Sequence, residues 1–490
     1  MLPKIRSKEY LYPIPEYDLK PSDVKNFIQE LKGFHEIFED CFHRRESRNH
    51  FFNYMAGQFS NLQRKSIEPI ALNSKNSKVR SMQRFISDAE WDDSKINKNY
   101  CNLINEDMGH PDGVVIFDES GFQKKGNNSI GVYKQYCGNL GKVDNCQVGV
   151  FASYASTKGY ALIDKRLYIP KIWFSDEYKE RRSKCKLPNT ISFKTKPQLA
   201  IEMLNSIADQ SYLPFRYVLA DTVYGSNPDF IKAIEQKPDL TYFVSVPSDK
   251  KCWLKNTFIS KKKDEHKNEI KTKANFKRAQ EKPIKLIDLA RNINKFFWYK
   301  RKVSEGSKGP IEYEFSRKKV IMSKNGRPDR NVWLIIKRTL DKNPIYSFFI
   351  SNASEDTKLP TFVWLSGLRW SIEQCFKETK SELGMDHYEV RKYPGWNHHI
   401  QTCMLAHFFL WHLKIRLGKK TPSITLSQTR ILLEVVLPIK RNDVEIAINL
   451  VRWIQARNHK SYLSHRNKKF KKNQDYILIN LRCRVKLRRV

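Results

Sequence analysis

No stretch of the 490-residue chain approaches the roughly 18 consecutive apolar residues that a membrane-spanning helix needs. The opening residues, MLPKIRSKEYLYPIPEYDLK, also lack the apolar centre of a secretory signal. The expected location is therefore the cytoplasm, at the chromosome, with no membrane partner. Cysteine is sparse as well: nine residues, at 41, 101, 137, 146, 185, 252, 375, 403 and 483, are odd in number and never spaced C-x-x-C. This excludes the usual disulfide framework and argues against a structural zinc site, leaving reduced thiols. Negative charge is scarcest relative to its counterpart, with 52 Asp and Glu against 89 Lys and Arg, a formal net charge of +37. An excess of that size repels itself in a compact fold unless a polyanion neutralises it, and nucleic acid is the usual candidate.

What is present is enough chain for two to four domains, without an internal repeat. Residues 1–112 read as a helical DNA-binding domain. There "CFHRRESRNHFFNYMAGQFSNLQRKSIEPIA" sets apolar residues at helical spacing and puts Arg44, Arg45, Arg48, Arg64 and Lys65 on polar positions. From Gly113 the pattern changes to the apolar runs "GVVIFDES", "NCQVGVFASYA" and "KGYALIDKRLYI". The helix "KPQLAIEMLNSIADQ", the strand "YVLADTVYG", the helix "NPDFIKAIEQ" and the strand "TYFVSVP" follow. Such an order predicts an α/β sheet layered with helices, whose first part spans 113–247. Residues 248–340 read as an insertion, with the charged excursion "SKKKDEHKNEIKTKANFKRAQEKPIK" and strands "FFWYKRKV", "IEYEFSRKKVIM" and "NVWLIIKRTL". The core resumes over 341–395, and 396–490 is a helical region with a basic tail.

Asp118 follows VVIF and Asp221 follows YVLA, so each closes a buried strand. Carboxylates at the ends of neighbouring strands can converge outside the sheet edge, where hard oxygen ligands suit Mg²⁺ or Mn²⁺. In "RWSIEQCFKETKSELGMDH", Arg369 and Glu373 are at i and i+4, and Lys380 is seven residues further on, so all three share one helical face. Leu365, Leu368, Ile372, Phe376 and Leu383 form an adjoining apolar stripe that can press the helix onto the sheet. As a stability device an exposed Arg–Glu pair is worth only a few tenths of a kcal/mol. As an active site, Glu373 would be a third carboxylate for metal, with Arg369 and Lys380 holding phosphates beside it.

These residues carry a resemblance. The chain resembles the DDE transposases of bacterial insertion sequences, in the group whose third carboxylate lies within Tyr-x2-Arg-x3-Glu-x6-Lys. Arg369, Glu373 and Lys380 match that spacing, while Ser366 stands at the Tyr position. "DESGFQKKGNNSIGVYKQYCGNLGKVDNCQVGV" and "LADTVYGSNPDF" are similar to the family's first and second Asp segments, assigning those roles to Asp118 and Asp221. The resemblance implies an RNase H-like catalytic core interrupted by a largely β insertion domain. It also implies two Mg²⁺ ions, replaceable by Mn²⁺, cleavage of double-stranded DNA at terminal inverted repeats, strand transfer into target DNA, and a synaptic homodimer. Loss of activity with retained DNA binding, or nuclease activity without strand transfer, are the alternatives.

Lys124 and Lys125, in "GFQKKGNNSIG", are secondary candidates for a phosphate contact. Asp118 is preferred to the adjacent Glu119 because it directly ends the apolar run, and Asp144 is a further acid near the first strand. His398 and His399, adjacent and therefore divergent on a helix, suit a structural or DNA-contact role better than a metal pair. Trp253, Trp298 and Trp333 read as core residues of the insertion.

Overall fold

A computed structural model of the chain describes residues 18–74, 77–254, 282–306 and 309–438, with scattered helical positions from 445 to 467. The charged excursion over 255–281 and the basic tail beyond 467 lie outside the described residues.

The N-terminal segment forms α1 (Pro21–Lys25), α2 (Phe27–Glu36), α3 (Arg45–Phe59), α4 (Ile67–Asn73), α5 (Val79–Ser87) and α6 (Asp93–Met108). The next stretch holds β1 (Val114–Gln123), β2 (Tyr133–Cys137), β3 (Lys142–Ala155), β4 (Tyr160–Tyr168), α7 (Lys179–Lys184) and α8 (Lys196–Gln210). Then come β5 (Tyr217–Ala220), α9 (Thr222–Gly225), α10 (Pro228–Glu235) and β6 (Thr241–Val246). The insertion adds β7 (Lys251–Trp253), β8 (Ile284–Lys285), α11 (Leu286–Arg291), β9 (Tyr299–Gly306), β10 (Gly309–Lys324) and β11 (Arg327–Arg338). The chain closes with β12 (Tyr346–Ser351), α12 (Leu359–Leu368), α13 (Trp370–Leu383), α14 (Tyr393–Leu417) and α15 (Leu426–Val436).

β1, β3 and β4 form an antiparallel meander, and β5 and β6 lie beyond β1, parallel to it. Across this half the strand order is β4-β3-β1-β5-β6. β12 then pairs antiparallel with β6, and β11, β10, β7 and β8 continue outward, so the insertion's strands extend the same sheet. β9 pairs with β10 and β2 with the start of β3.

The first strand runs further than its sequence suggests. The parallel ladder to β5 ends at Phe117↔Ala220, yet the antiparallel ladder to β3 continues from Asp118↔Phe151 to Gln123↔Cys146. Asp118 therefore ends the pairing on one side only. Its polar successors stay in the strand because β3 still satisfies their backbone groups.

Helices cover both faces of the sheet. Phe117 meets Phe230 of α10 edge-on, with ring centroids 5.6 Å apart, while Phe151 meets Phe376 of α13 at 5.2 Å. The apolar stripe on α12 and α13 does press them onto the sheet: Leu365, Ile372 and Leu383 are fully buried. Glu378 locks α13 from behind, accepting from Tyr160 of β4 (3.0 Å) and from Gln374 (2.8 Å) and facing His407 of α14 (2.8 Å). Burial alone would raise the Glu378 pKa, but these partners hold it below the usual range.

α14 is buried on all sides, and the N-terminal helices wrap around it. His398 stacks on Trp91 (3.9 Å between centroids, 3° between planes), and its Nδ1 bonds the Ile86 carbonyl of α5 (2.8 Å). His399 lies between the Tyr54 hydroxyl (2.8 Å) and the Met385 carbonyl (3.2 Å). Both histidines are thus packing residues. Trp253 and Trp298 are buried too, while Trp333 is half-buried.

Lys65 departs from its expected place on a polar surface. It is buried, and its ammonium donates to the Gln58 carbonyl (2.8 Å) and to the Glu382 carbonyl at the end of α13. There Gly384 ends the helix at φ +71°, a conformation that favours glycine, and an added Cβ would lie 2.8 Å from that of Lys65.

Candidate active site

Asp118 faces Phe151 across the antiparallel ladder, and directly opposed residues share a face of the sheet. Phe151 touches α13, so Asp118 points to the face covered by that helix, while Glu119 points to the other. Glu119 is held there by two donors, Lys196 at the start of α8 (2.7 Å) and the buried Tyr224 hydroxyl (2.8 Å). The alternation explains why two adjacent acids have different surroundings.

Asp221 follows the last residue of β5 and caps α9, its Oδ1 accepting from the amides of Val223 (2.9 Å) and Tyr224 (3.4 Å). The cap fixes the carboxylate at the strand end beside Asp118. Burial, then the Asp221 charge, push the Asp118 pKa up to about 7. Burial and then the Glu119 charge also raise Asp221, against the two capping amides and Arg369. Two carboxylates this close and this poorly hydrated are a destabilised pair that a cation would relieve.

Arg369 joins the pair to the helix. It lies where α12 and α13 adjoin, with its own backbone helical (φ −53°, ψ −33°), and its guanidinium donates to Glu373 Oε1 at 3.0 Å. The same charge acts on Asp118, Asp221 and Lys337 of β11. Lys337 lies over the Tyr313 ring (4.6 Å), where burial and then Arg369 lower its pKa against the pull of Glu373. Among the described residues no three Asp, Glu, His or Cys side chains already form a metal-holding cluster. The aspartates are brought together, and Glu373 is turned toward Arg369.

The remaining sequence candidates are dispersed. Lys380 donates to the Gly121 carbonyl of β1 (3.0 Å), and burial lowers its pKa to about 8. It ties the Asp118 strand to the Glu373 helix. Lys124 lies 3.3 Å from the centre of the Tyr388 ring and donates to the Tyr388 carbonyl (2.9 Å), its pKa lowered by burial to about 7. Lys125 is exposed beside it. Arg44 and Arg45 are exposed at the start of α3. Ser366 is buried and bonds the Val363 carbonyl (2.8 Å), so it makes no contact at the site. Sequence reasoning passed over Lys196, Tyr224 and Lys337, which the local pattern does not mark because each comes from a separate element.

Acidic side chains where a parallel strand ladder ends, faced by an Arg–Glu helix in a strongly basic chain, define an enzyme class that cuts nucleic acid by phosphoryl transfer. The family model described as "DDE superfamily endonuclease" matches residues 37–310, more than half of the chain. The chain belongs to that family. The match includes Asp118 and Asp221 and ends before Glu373. A probable transposase for insertion sequence element IS701, from Microchaete diplosiphon, is 26% identical over 347 residues, covering 70% of this chain and 77% of that protein. Family and relative together make this chain a DNA transposase of the insertion-sequence kind.

Among solved structures, a piggyBac transposase synaptic complex with hairpin DNA aligns with a TM-score of 0.38 and 11% identity, covering 91% of this chain and 86% of that one. The NurA nuclease from Sulfolobus solfataricus aligns with a TM-score of 0.25 and 12% identity, covering 68% and 94%.

Proposed function

We propose that Asp118, Asp221 and Glu373 are the catalytic carboxylates of a cut-and-paste transposase acting on the inverted repeats at the ends of its own element. The observation that carries this reading is the convergence of Asp118 and Asp221 where the parallel ladder of β1 and β5 ends, with Arg369 and Glu373 of the α12–α13 junction beside them. The order β4-β3-β1-β5-β6, three antiparallel strands followed by two parallel ones, supports an RNase H-like core.

The aspartates fit a divalent cation, Mg²⁺ or Mn²⁺, and a two-ion site would activate an attacking water or 3′-hydroxyl and stabilise the leaving oxygen. The chain's own residues do the rest. Arg369 holds Glu373 beside the aspartates, and a phosphate that accepted the N–H now bonded to Glu373 would release that carboxylate toward them. Lys380 and the Glu378 network keep helix and strand in register, so that the three carboxylates approach one scissile phosphate. Surface cations such as Arg44, Arg45 and Lys125 would neutralise the DNA backbone, making affinity fall steeply with salt. A synaptic homodimer would bring two ends together.

The test is incubation of purified protein with Mg²⁺ and linear DNA carrying the element's ends, beside Glu373→Ala. Specific cleavage and joining by the parent, lost in the variant with end binding retained, is the expected result. Equal cleavage by the variant would remove Glu373 from the site. Cleavage without joining would indicate a nuclease, and binding without cleavage in Mg²⁺ or Mn²⁺ a non-catalytic DNA-binding protein.

A further inference from the structure

We propose that α5 is the helix that reads the base sequence of the transposon end, through Arg80, Gln83 and Arg84 in the major groove. The inference rests on the transposase reading and adds to it the place where sequence is recognised.

α5 has two sharply different faces. Met82, Phe85 and Ile86 are buried, while Arg80, Gln83 and Arg84, at i, i+3 and i+4, are exposed together on the opposite side. The helix carries no acid, and these three side chains make no hydrogen bond or ion pair among the described residues. An exposed row with two unpaired guanidiniums and an amide is of little use to the fold. Arg and Gln are also the side chains that form paired hydrogen bonds with guanine and adenine edges.

The support behind the row is rigid. α3, α4 and α5 pack on one another as a three-helix unit, and the Ile86 carbonyl of α5 is fixed by buried His398 of α14. A reading helix needs such a base, because a bidentate base contact tolerates little displacement. Docking of one helix of a small helical unit in the major groove is a common geometry.

The surroundings provide a route for the backbone. A groove of about 570 Å³ runs beside α5, lined by Arg80, Gln83, Arg84, Arg391 and Lys392, with Glu68 at the same groove. Its other acids are engaged: Asp88 with Lys186 (2.7 Å) and Lys392, and Glu389 with Arg64 (2.6 Å). Arg391 is exposed and also lines a second groove, of about 360 Å³, with Lys124 and Lys125. Those lysines follow directly on β1, the strand of Asp118. A duplex read by α5 would thus have the exposed cations Arg391 and Lys125 under its backbone on the way to the strand of Asp118.

The test measures binding by fluorescence anisotropy without divalent metal, using a duplex of the element's end and a shuffled duplex of the same composition. The full chain is compared with Gln83→Ala, Arg84→Lys, which keeps the charge but loses the two-pronged geometry, and Arg391→Ala. Gln83→Ala and Arg84→Lys should weaken end binding by roughly ten- to a hundredfold and leave shuffled-DNA affinity nearly unchanged. Arg391→Ala should weaken both duplexes alike. Intact shuffled-DNA binding shows that a variant is folded. If the α5 variants weaken both duplexes equally, or neither, the proposal is overturned. A parent that does not distinguish the duplexes also overturns it, while metal-dependent cleavage tests the transposase reading separately.

Discussion

Buried His399 makes stability fall on acidification by an amount that can be worked out. Its Nε2 faces the Met385 carbonyl, which can only accept, so Nε2 carries the proton and Nδ1 accepts from Tyr54. Burial, then the Lys124 ammonium, push its pKa down to about 3, with His387 adding to the effect and the Met385 and Gly384 backbone opposing it. In the unfolded chain the value is about 6.5. Below pH 6.5 the unfolded chain takes up a proton that the folded chain refuses until near pH 3. Stability is therefore complete above pH 6.5, falls as pH drops, and has lost this whole contribution below pH 3. At pH 5 the deficit from this one residue is about 2 kcal/mol. The assay is urea unfolding followed by tryptophan fluorescence at pH 7.5 and pH 5, for the parent and for His399→Gln, which cannot titrate. Titrating groups remote from His399 are common to both chains and cancel in the comparison. The parent should lose about 2 kcal/mol more than the variant between the two pH values. Equal losses would refute the reasoning.

Two further outcomes follow from the site and the helical layer. Asp118→Asn should lower the DNA cleavage rate by at least about a hundredfold, whereas Glu119→Gln, whose partners lie on the opposite face of the sheet, should lower it far less; single-turnover cleavage assays compare them. At Gly57 of α3 an added Cβ would lie 2.4 Å from the Ile70 side chain of α4, so Gly57→Ala should destabilise the three-helix unit by about 1–3 kcal/mol, seen as a lower melting temperature.

Much of the element order was legible because local signals agreed. α8 starts at Lys196, as its sequence suggests, since Thr195 and Gln198 form a capping box and Pro197 stands in the first turn. β5 and β6 were clear as short apolar runs between helices. The extension of β1 to Gln123 was hidden because its polar residues resemble a loop, and only the ladder to β3 holds them extended. β2, mostly exposed, carries no apolar alternation at all. At the site, spacing alone put Arg369, Glu373 and Lys380 on one face. It did not reveal that Lys380 reaches a carbonyl of β1, a contact across 259 positions of sequence. Lys124 was equally opaque, because its aromatic neighbour Tyr388 comes from the far end of the chain.

The placement of β12 orders events during synthesis. β6 is complete at Val246, but the strand that covers its outer edge begins at Tyr346, a hundred positions later. Until then a nascent chain displays an open sheet edge backed by Phe243 and Val244, a surface prone to pairing with another chain. That stretch also lies between the aspartates and α13. A growing polypeptide therefore carries Asp118 and Asp221 long before Glu373 is made, and the translation step that seals the sheet comes just ahead of the one that supplies the proposed third carboxylate.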